Sequence, residues 1–166
     1  KNEAFAYLYA DNVYDEIPTT KELVEKFNKK ENPDAILGAQ LVDKNTISKK
    51  GSIKIKENTK DQVELIVEKP EPDKAPSLLA SCGRYIFNYK IFNYLAEKKT
   101  GKDNELWTTD AIQELAKENN VYVKEITGKI LTTGDPLNMI KTTLHFALKN
   151  PELKEQLENY IKNIPL

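Results

Sequence analysis

Several residue types that build common functional sites are scarce in this 166-residue chain. It has a single cysteine, Cys82, which excludes an internal disulfide framework and a multi-cysteine metal site. Its single histidine, His145, excludes a zinc site built on several histidines. The six glycines are scattered and form no Gly-x-Gly pair, so these residues contain no glycine-rich loop that could hold a phosphate.

The chain also lacks an excess of charge of either sign and any long hydrophobic run. Its 25 basic and 26 acidic side chains nearly cancel, which argues against a nucleic-acid partner. No apolar run approaches the ~18 residues that a membrane helix needs. With 39% hydrophobic residues and a mean hydropathy of −0.61, the composition predicts a soluble, cytoplasmic protein with no membrane partner.

The only methionine is Met139, and the chain opens with Lys1. After three further residues it enters an apolar run at 5–10. A processed natural domain could begin in this way, but we expect a piece cut from a longer chain. Residues 1–166 amount to about one domain on the rule of roughly 100–200 residues per domain.

Apolar and polar segments alternate along the chain in a way that predicts an α/β layer fold. The predicted strands are a buried one at 5–10, others at 34–42, 80–87 and 121–126, and a β-hairpin at 51–67; predicted helices begin near residues 19, 88, 109, 136 and 151. Thr19 and Glu22 have the spacing of a capping box, and Asp135 before Pro136 predicts an N-cap. In the last helix an apolar stripe (Leu153, Leu157 and Ile161) is expected to be covered by packing.

Asp11 stands directly after the predicted strand at 5–10. Ligands of open α/β sheets lie outside the carboxyl ends of the strands. A carboxylate there can hold Mg²⁺, which takes oxygen ligands and often only one or two protein carboxylates. The alternative is an ordinary turn aspartate, since Asp-Asn is common in turns.

Glu68 and Lys69 also follow a predicted strand. The carboxylate can accept hydrogen bonds from sugar hydroxyls, and the ammonium is a point charge suited to phosphate. The alternative is a solvated rim in a lysine-rich chain. Cys82 is interpreted as a core filler, and a packing or surface role is favoured for His145. Trp107 could form the wall of a pocket, but a packing role is favoured.

The order of several short segments resembles the sugar-1-phosphate nucleotidyltransferase family, in particular the C-terminal part of its bacterial uridylyltransferase branch. The segments are Phe5 to Asn12, Val67 to Pro70, Ala75 to Ser77, Cys82 to Tyr85, Glu105 to Ile112 and Thr133 to Leu137. The resemblance covers nearly the whole chain. It implies a three-layer Rossmann-like fold with a mixed sheet, in which the hairpin at 51–67 forms an arm.

This resemblance also implies a reaction, in which UTP and glucose 1-phosphate give UDP-glucose and pyrophosphate with Mg²⁺. Asp11 matches the family's metal-binding aspartate. Glu68 matches the residue that holds glucose hydroxyls, and Lys69 the residue that meets the sugar phosphate. Gly51 and Gly83 match glycines that lie against the sugar. The full-length protein is expected to be a homo-oligomer.

Two departures from the family pattern affect the expected activity. The family's glycine-rich nucleotide loop is not in this sequence, so we expect the isolated chain to be inactive. Thr132 stands where many members carry a second metal-binding aspartate; a site that uses Asp11 alone is favoured over substitution by Asp135. A non-catalytic sugar-phosphate-binding or oligomerisation module, and a thymidylyl or guanylyl transferase of the same family, remain alternatives.

Overall fold

The computed structural model describes residues 3–15, 18–96, 107–118 and 120–164. The chain forms two compact units. The larger unit contains the described residues of 1–9 and 16–128. The smaller unit contains those of 10–15 and 129–166.

Helices and strands alternate through most of the larger unit. Its strands are β1 (Phe5–Leu8), β3 (Ala35–Leu41), β4 (Gly51–Ile55), β5 (Val63–Glu68), β6 (Leu79–Phe87) and β7 (Val121–Glu125), and its helices are α1 (Thr19–Lys29), α2 (Lys44–Ile47), α3 (Ile91–Ala96) and α4 (Thr108–Ala116). The smaller unit contains β2 (Asn12–Tyr14), β8 (Ile130–Thr132), α5 (Pro136–Lys149) and α6 (Pro151–Lys162).

The described strands of the larger unit form one six-stranded mixed sheet. Its strand order is β5-β4-β6-β3-β7, and β1 also pairs with β6. Among the strands of the described residues, β3 and β7 run parallel and the other pairs are antiparallel. The mixed sheet predicted from the sequence is therefore confirmed. The predicted hairpin is β4 and β5, and it forms one edge of this sheet.

Helices cover both faces of the sheet. Successive residues of a strand point to opposite faces, so the neighbours Leu37 and Gly38 of β3 show what covers each face. Leu37 of β3 belongs to the same buried cluster as Leu115 of α4. On the other face, a β-carbon added at Gly38 would lie 3.6 Å from the side chain of Leu23 in α1. The order helix, sheet, helix confirms the predicted three layers.

Strand β6 contains a bulge opposite the middle of β3. The pairing steps from Tyr85 with Leu37 to Ser81 with Ala39, so β6 carries extra residues there. Gly83 lies in this bulge with a φ of 64°, a left-handed conformation that glycine adopts without a steric penalty. The bulge is therefore a local reason for a glycine at this position.

Two local predictions are wrong. Pro18, not Thr19, occupies the N-cap position of α1, and Pro18 forms no side-chain capping hydrogen bond. Thr19 is already inside the helix and is buried, while Glu22 forms an ion pair with Lys124. Strand β1 is not a buried strand: it pairs only with β6 within the described chain, and Leu8 is 47% exposed.

The smaller unit joins a two-stranded sheet to two helices. β2 pairs antiparallel with β8, and neither strand was predicted from the sequence. Thr142 of α5 donates a hydrogen bond to the carbonyl oxygen of Thr132 at 2.8 Å, which anchors the helix to β8. Asp135 accepts a hydrogen bond from the Asn138 N–H at 2.9 Å, so the predicted N-cap of α5 is confirmed.

The last helix, α6, exposes apolar side chains. Within the described chain, Leu153 is 47% and Ile161 is 42% exposed. The prediction that packing covers this stripe stays a prediction. None of the described helices is long and apolar enough to cross a membrane.

Candidate functional site

The carboxylate of Glu68 lies where β4 and β5 meet at the edge of the sheet. Glu68 is the last residue of β5 and is paired in register with Gly51, the first residue of β4. A β-carbon added at Gly51 would lie 3.4 Å from Glu68 Oε2. The absence of a side chain at Gly51 therefore leaves space directly beside the carboxylate.

The first turn of α4 holds this carboxylate in place. Thr109 Oγ1 donates a hydrogen bond to Glu68 Oε2 at 2.6 Å. Thr109 is only 5% exposed, so its hydroxyl is fixed by the packing of the helix. One carboxylate oxygen is therefore held by the protein.

Lys69 leaves the strand in an unusual backbone conformation. Its φ is 41°, and its N–H donates to the carbonyl oxygen of Lys50 at 3.1 Å. Trp107 is the residue directly before α4. The ammonium nitrogen of Lys69 lies 4.2 Å from the centroid of the Trp107 ring. We call these five residues (Gly51, Glu68, Lys69, Trp107 and Thr109) the β5-end cluster.

Two tyrosines of the larger unit have raised pKa values, and one of them, Tyr9, lies near the carboxylate of Glu68. Burial, and then the neighbouring Tyr7, raises the pKa of Tyr9, and the charge of Glu68 adds to this effect. Tyr85 is 2% exposed, and its hydroxyl forms a short hydrogen bond with that of Ser81. Burial raises the pKa of Tyr85 well above its usual value. Both phenols therefore stay protonated and can donate hydrogen bonds.

Cys82 and Gly83 are neighbours in β6 of the larger unit. The carbonyl oxygen of Gly83 accepts a hydrogen bond from the Tyr9 N–H at 2.8 Å, which fixes the end of β1. Cys82 is 3% exposed, and burial raises the pKa of its thiol to about 12. A protonated, buried thiol is a poor nucleophile, and the interpretation of Cys82 as a core filler is confirmed.

Asp11 lies in the smaller unit, beside the loop that follows β8. The N–H of Thr133 donates to the carbonyl oxygen of Asp11 at 2.8 Å. A β-carbon added at Gly134 would lie 2.6 Å from Asp11 Oδ2 and 3.3 Å from Thr132 Oγ1. The Asp11 carboxylate and the Thr132 hydroxyl therefore lie on the same side of Gly134.

This pair of oxygen atoms is compatible with a magnesium ion that uses few protein ligands. Mg²⁺ prefers hard oxygen donors and often binds through one or two carboxylates, with water and phosphate oxygens completing its shell. Asp135 does not add a second carboxylate, because both of its oxygens bind Asn138 at the start of α5. Within the described residues there is no cluster of three or more His, Cys, Asp or Glu side chains.

His145 takes part in an ionic cluster that the sequence did not indicate. Its Nε2 lies 2.6 Å from Asp15 Oδ2, and Lys149 Nζ lies 2.7 Å from the same oxygen. Hydrogen bonds from Lys149 and then His145 lower the pKa of Asp15. The cluster links the end of β2 to α5, so its role within the smaller unit is structural.

The structure brings some of the predicted site residues together. Gly51, Glu68 and Lys69 are neighbours in the larger unit, which also contains Gly83, whereas Asp11 belongs to the smaller unit. Thr109 was missed, although a threonine in the first turn of a predicted helix is a recognisable hydrogen-bond donor. The sequence offered no signal for Tyr9, because an aromatic residue in an apolar run resembles any core residue.

Comparison with known proteins identifies the class to which this architecture belongs. A family model described as nucleotidyl transferase matches residues 1–136. The chain therefore belongs to the nucleotidyl transferase family. The segments that carried the resemblance lie within residues 1–136, except that the last one ends one residue later, at Leu137. The prediction of the family is confirmed.

Curated relatives are UTP–glucose-1-phosphate uridylyltransferases. The protein from Staphylococcus epidermidis (strain RP62A) is 34% identical over 99% of this chain and 58% of its own length. The protein from Bacillus subtilis (strain 168) is 36% identical over 98% of this chain and 56% of its own length. The chain thus spans a little over half the length of these relatives.

Solved structures agree with the fold. A UDP-glucose pyrophosphorylase complexed with UDP-glucose is 30% identical, with a TM-score of 0.77 over 90% of this chain and 58% of that chain. A UTP-bound enzyme from Acinetobacter baumannii, at 23% identity, has a TM-score of 0.80 over 99% of this chain and 57% of that chain. The second likeness concerns the fold alone.

Proposed function

We propose that this chain carries the sugar-phosphate side of a nucleotidyltransferase site that makes UDP-glucose and pyrophosphate from UTP and glucose 1-phosphate. The names of the relatives support this substrate pair. The observation that carries the proposal is the β5-end cluster, in which a positioned carboxylate and an ammonium follow each other beside a glycine.

Each charged group of the pair suits a different part of a sugar phosphate. Thr109 donates to one oxygen of Glu68, which leaves the remaining acceptor capacity of the carboxylate for hydroxyl groups. The ammonium of Lys69 is an exposed point charge suited to phosphate oxygens. The space beside Gly51 allows a ring to approach the carboxylate.

In the proposed reaction a phosphate oxygen of glucose 1-phosphate attacks the α-phosphorus of UTP. The new bond forms between these two atoms, the bond from the α-phosphorus to its bridging oxygen breaks, and pyrophosphate leaves. Lys69 and Glu68 contribute by holding the nucleophile in position, since phosphoryl transfer depends mainly on alignment and charge stabilisation.

Asp11, with the hydroxyl of Thr132 beside it, is the group proposed to hold Mg²⁺. A bound Mg²⁺ would neutralise negative charge on phosphate oxygens. The aspartate itself supplies a hard, negatively charged oxygen ligand.

Calorimetric titration of the 166-residue chain with glucose 1-phosphate and with galactose 1-phosphate tests the proposal. Lys69→Ala should weaken both sugar phosphates by about 10- to 150-fold, because a hydrogen bond to a charged group contributes about 1.5–3 kcal/mol. Glu68→Gln should instead reduce the preference for the glucose epimer. A parallel pyrophosphate-release assay with UTP should show no turnover by the isolated chain.

Lys74→Ala is the matched control, because Lys74 lies in the following loop with its side chain 75% exposed. Lys74→Ala removes one positive charge, as Lys69→Ala does, and should leave the affinities for glucose 1-phosphate and galactose 1-phosphate unchanged. Equal binding by Lys69→Ala and the unmodified chain would overturn the assignment. Turnover by the isolated chain would contradict the proposal that this chain carries only the sugar-phosphate side of the site.

A further inference from the structure

The side chain of Lys69 reaches Trp107 because the backbone turns at this residue. In a regular strand, Glu68 and Lys69 would point to opposite faces of the sheet. The φ of 41° at Lys69 breaks this alternation. Both side chains therefore contact the start of α4: Glu68 at Thr109 and Lys69 at Trp107.

Left-handed backbone is uncommon for a residue with a side chain, and it persists where surrounding contacts hold it. Here the Lys69 N–H is bonded to Lys50, and the buried Pro70 follows. The conformation is therefore held by the protein on both sides of the residue. Such strain is found frequently at ligand-binding positions.

Trp107 occupies the N-cap position of α4, where its side chain forms no capping hydrogen bond. Serine, threonine, aspartate and asparagine are the residues that stabilise this position. Capping therefore does not account for a tryptophan at this position. Its ring instead lies 4.2 Å from the ammonium nitrogen of Lys69, a distance typical of a cation–π interaction.

Within the described part of the chain, no carboxylate forms an ion pair with the ammonium of Lys69. Many other lysines of the larger unit do have such a partner, for example Lys26 with Asp61 at 2.6 Å. The ring of Trp107 orders the ammonium without neutralising it. A carboxylate in the same place would compete with an incoming anion.

We propose that Trp107 is a positioning residue, which holds the ammonium of Lys69 ready for the phosphate group of the sugar phosphate. This inference rests on the proposed function. Lysine carries large rotamer entropy, and an ammonium that is already ordered loses less of it when the phosphate binds. Trp107 acts through Lys69 and is not itself a phosphate ligand.

A double-mutant cycle tests this coupling by calorimetric titration of the 166-residue chain with glucose 1-phosphate. Trp107→Leu should weaken binding by about two- to fivefold, the factor expected for one exposed cation–π interaction. In a Lys69→Ala chain, Trp107→Leu should have no further effect. An equal effect of Trp107→Leu in both backgrounds would overturn the inference.

A measurement without ligand supports or refutes the same contact. The side-chain protons nearest the ammonium of Lys69 should resonate upfield in the nuclear magnetic resonance spectrum, because they lie over the indole ring. Trp107→Leu should abolish this shift. Trp107→Phe, which keeps an aromatic ring if the leucine variant does not fold, should retain part of the shift and part of the affinity. A spectrum unchanged in either variant would overturn the inference.

Failure of this inference can be told apart from failure of the proposed function. If Lys69→Ala leaves glucose 1-phosphate binding unchanged, the phosphate site itself is wrong. If Lys69→Ala weakens binding but the tryptophan variants do not, only the role of Trp107 is wrong.

Discussion

Replacing Thr109 by valine removes one hydroxyl and keeps the shape of the side chain. In the folded protein this hydroxyl is 2.6 Å from Glu68 Oε2, and Thr109 is 5% exposed. A hydrogen bond to a charged group contributes about 1.5–3 kcal/mol. Since Glu68 is only partly buried, water can replace part of the lost bond, and we expect about 1.5 kcal/mol of destabilisation, the low end of that range.

Urea unfolding, followed by circular dichroism, measures this change. With a slope of about 1–3 kcal/mol per molar urea, the midpoint should fall by roughly 0.5–1.5 M. The melting temperature should fall by about 3–6 °C, from the shift of roughly 2–4 °C per kcal/mol for a chain of this size.

Thr143→Val is the matched control, because the hydroxyl of Thr143 bonds to the carbonyl oxygen of Met139 on an exposed surface of α5. The same chemical change there should alter stability by less than about 0.5 kcal/mol. If Thr109→Val changes the free energy of unfolding no more than this control does, the hydroxyl does not hold the Glu68 carboxylate.

Three further predictions concern other parts of the molecule. In Gly134→Ala the new methyl group would lie 2.6 Å from Asp11 Oδ2, so the Asp11 side chain must move. The affinity for Mn²⁺, measured by electron paramagnetic resonance, should therefore fall, while the free energy of unfolding changes by less than about 1 kcal/mol. The pKa of Asp15 is lowered in the folded state, chiefly by Lys149. The stabilisation by the Asp15 carboxylate is therefore present above the pKa of Asp15 in the unfolded chain and is lost as the pH falls through its pKa in the folded chain. In urea unfolding between about pH 5 and pH 2, the free energy of unfolding of Asp15→Asn should depend less on pH than that of the unmodified chain. The thiol of Cys82, with its pKa near 12, should react with iodoacetamide much more slowly in the folded chain than in urea, and equal rates would contradict its burial.

The regular elements of the larger unit were predictable because local patterns specify them. The apolar run at 34–42 predicted a strand that the structure has at Ala35–Leu41, and the alternation at 51–67 predicted β4 and β5. The N-cap at Asp135 was equally readable, since it depends on residues three positions apart. These features depend on neighbours in sequence, which is why one sequence was sufficient to find them.

Local patterns failed where burial decided the outcome. Thr19 had the spacing of a capping box, but it lies inside α1 and is buried. The apolar run at 5–10 resembled a buried strand, yet Leu8 is 47% exposed. Spacing along the chain shows which contacts are possible, whereas packing determines which ones form.

The order of several short segments in the sequence identified the family of this chain, and the motif Glu68-Lys69 is recognisable in the sequence alone. Only the tertiary structure placed Thr109, 41 residues away, on the carboxylate of Glu68. It also set the ammonium of Lys69 over the ring of Trp107. Contacts between residues so distant along the chain depend on how α4 packs against the end of β5. That packing results from the burial of the whole core and leaves no local mark in the sequence.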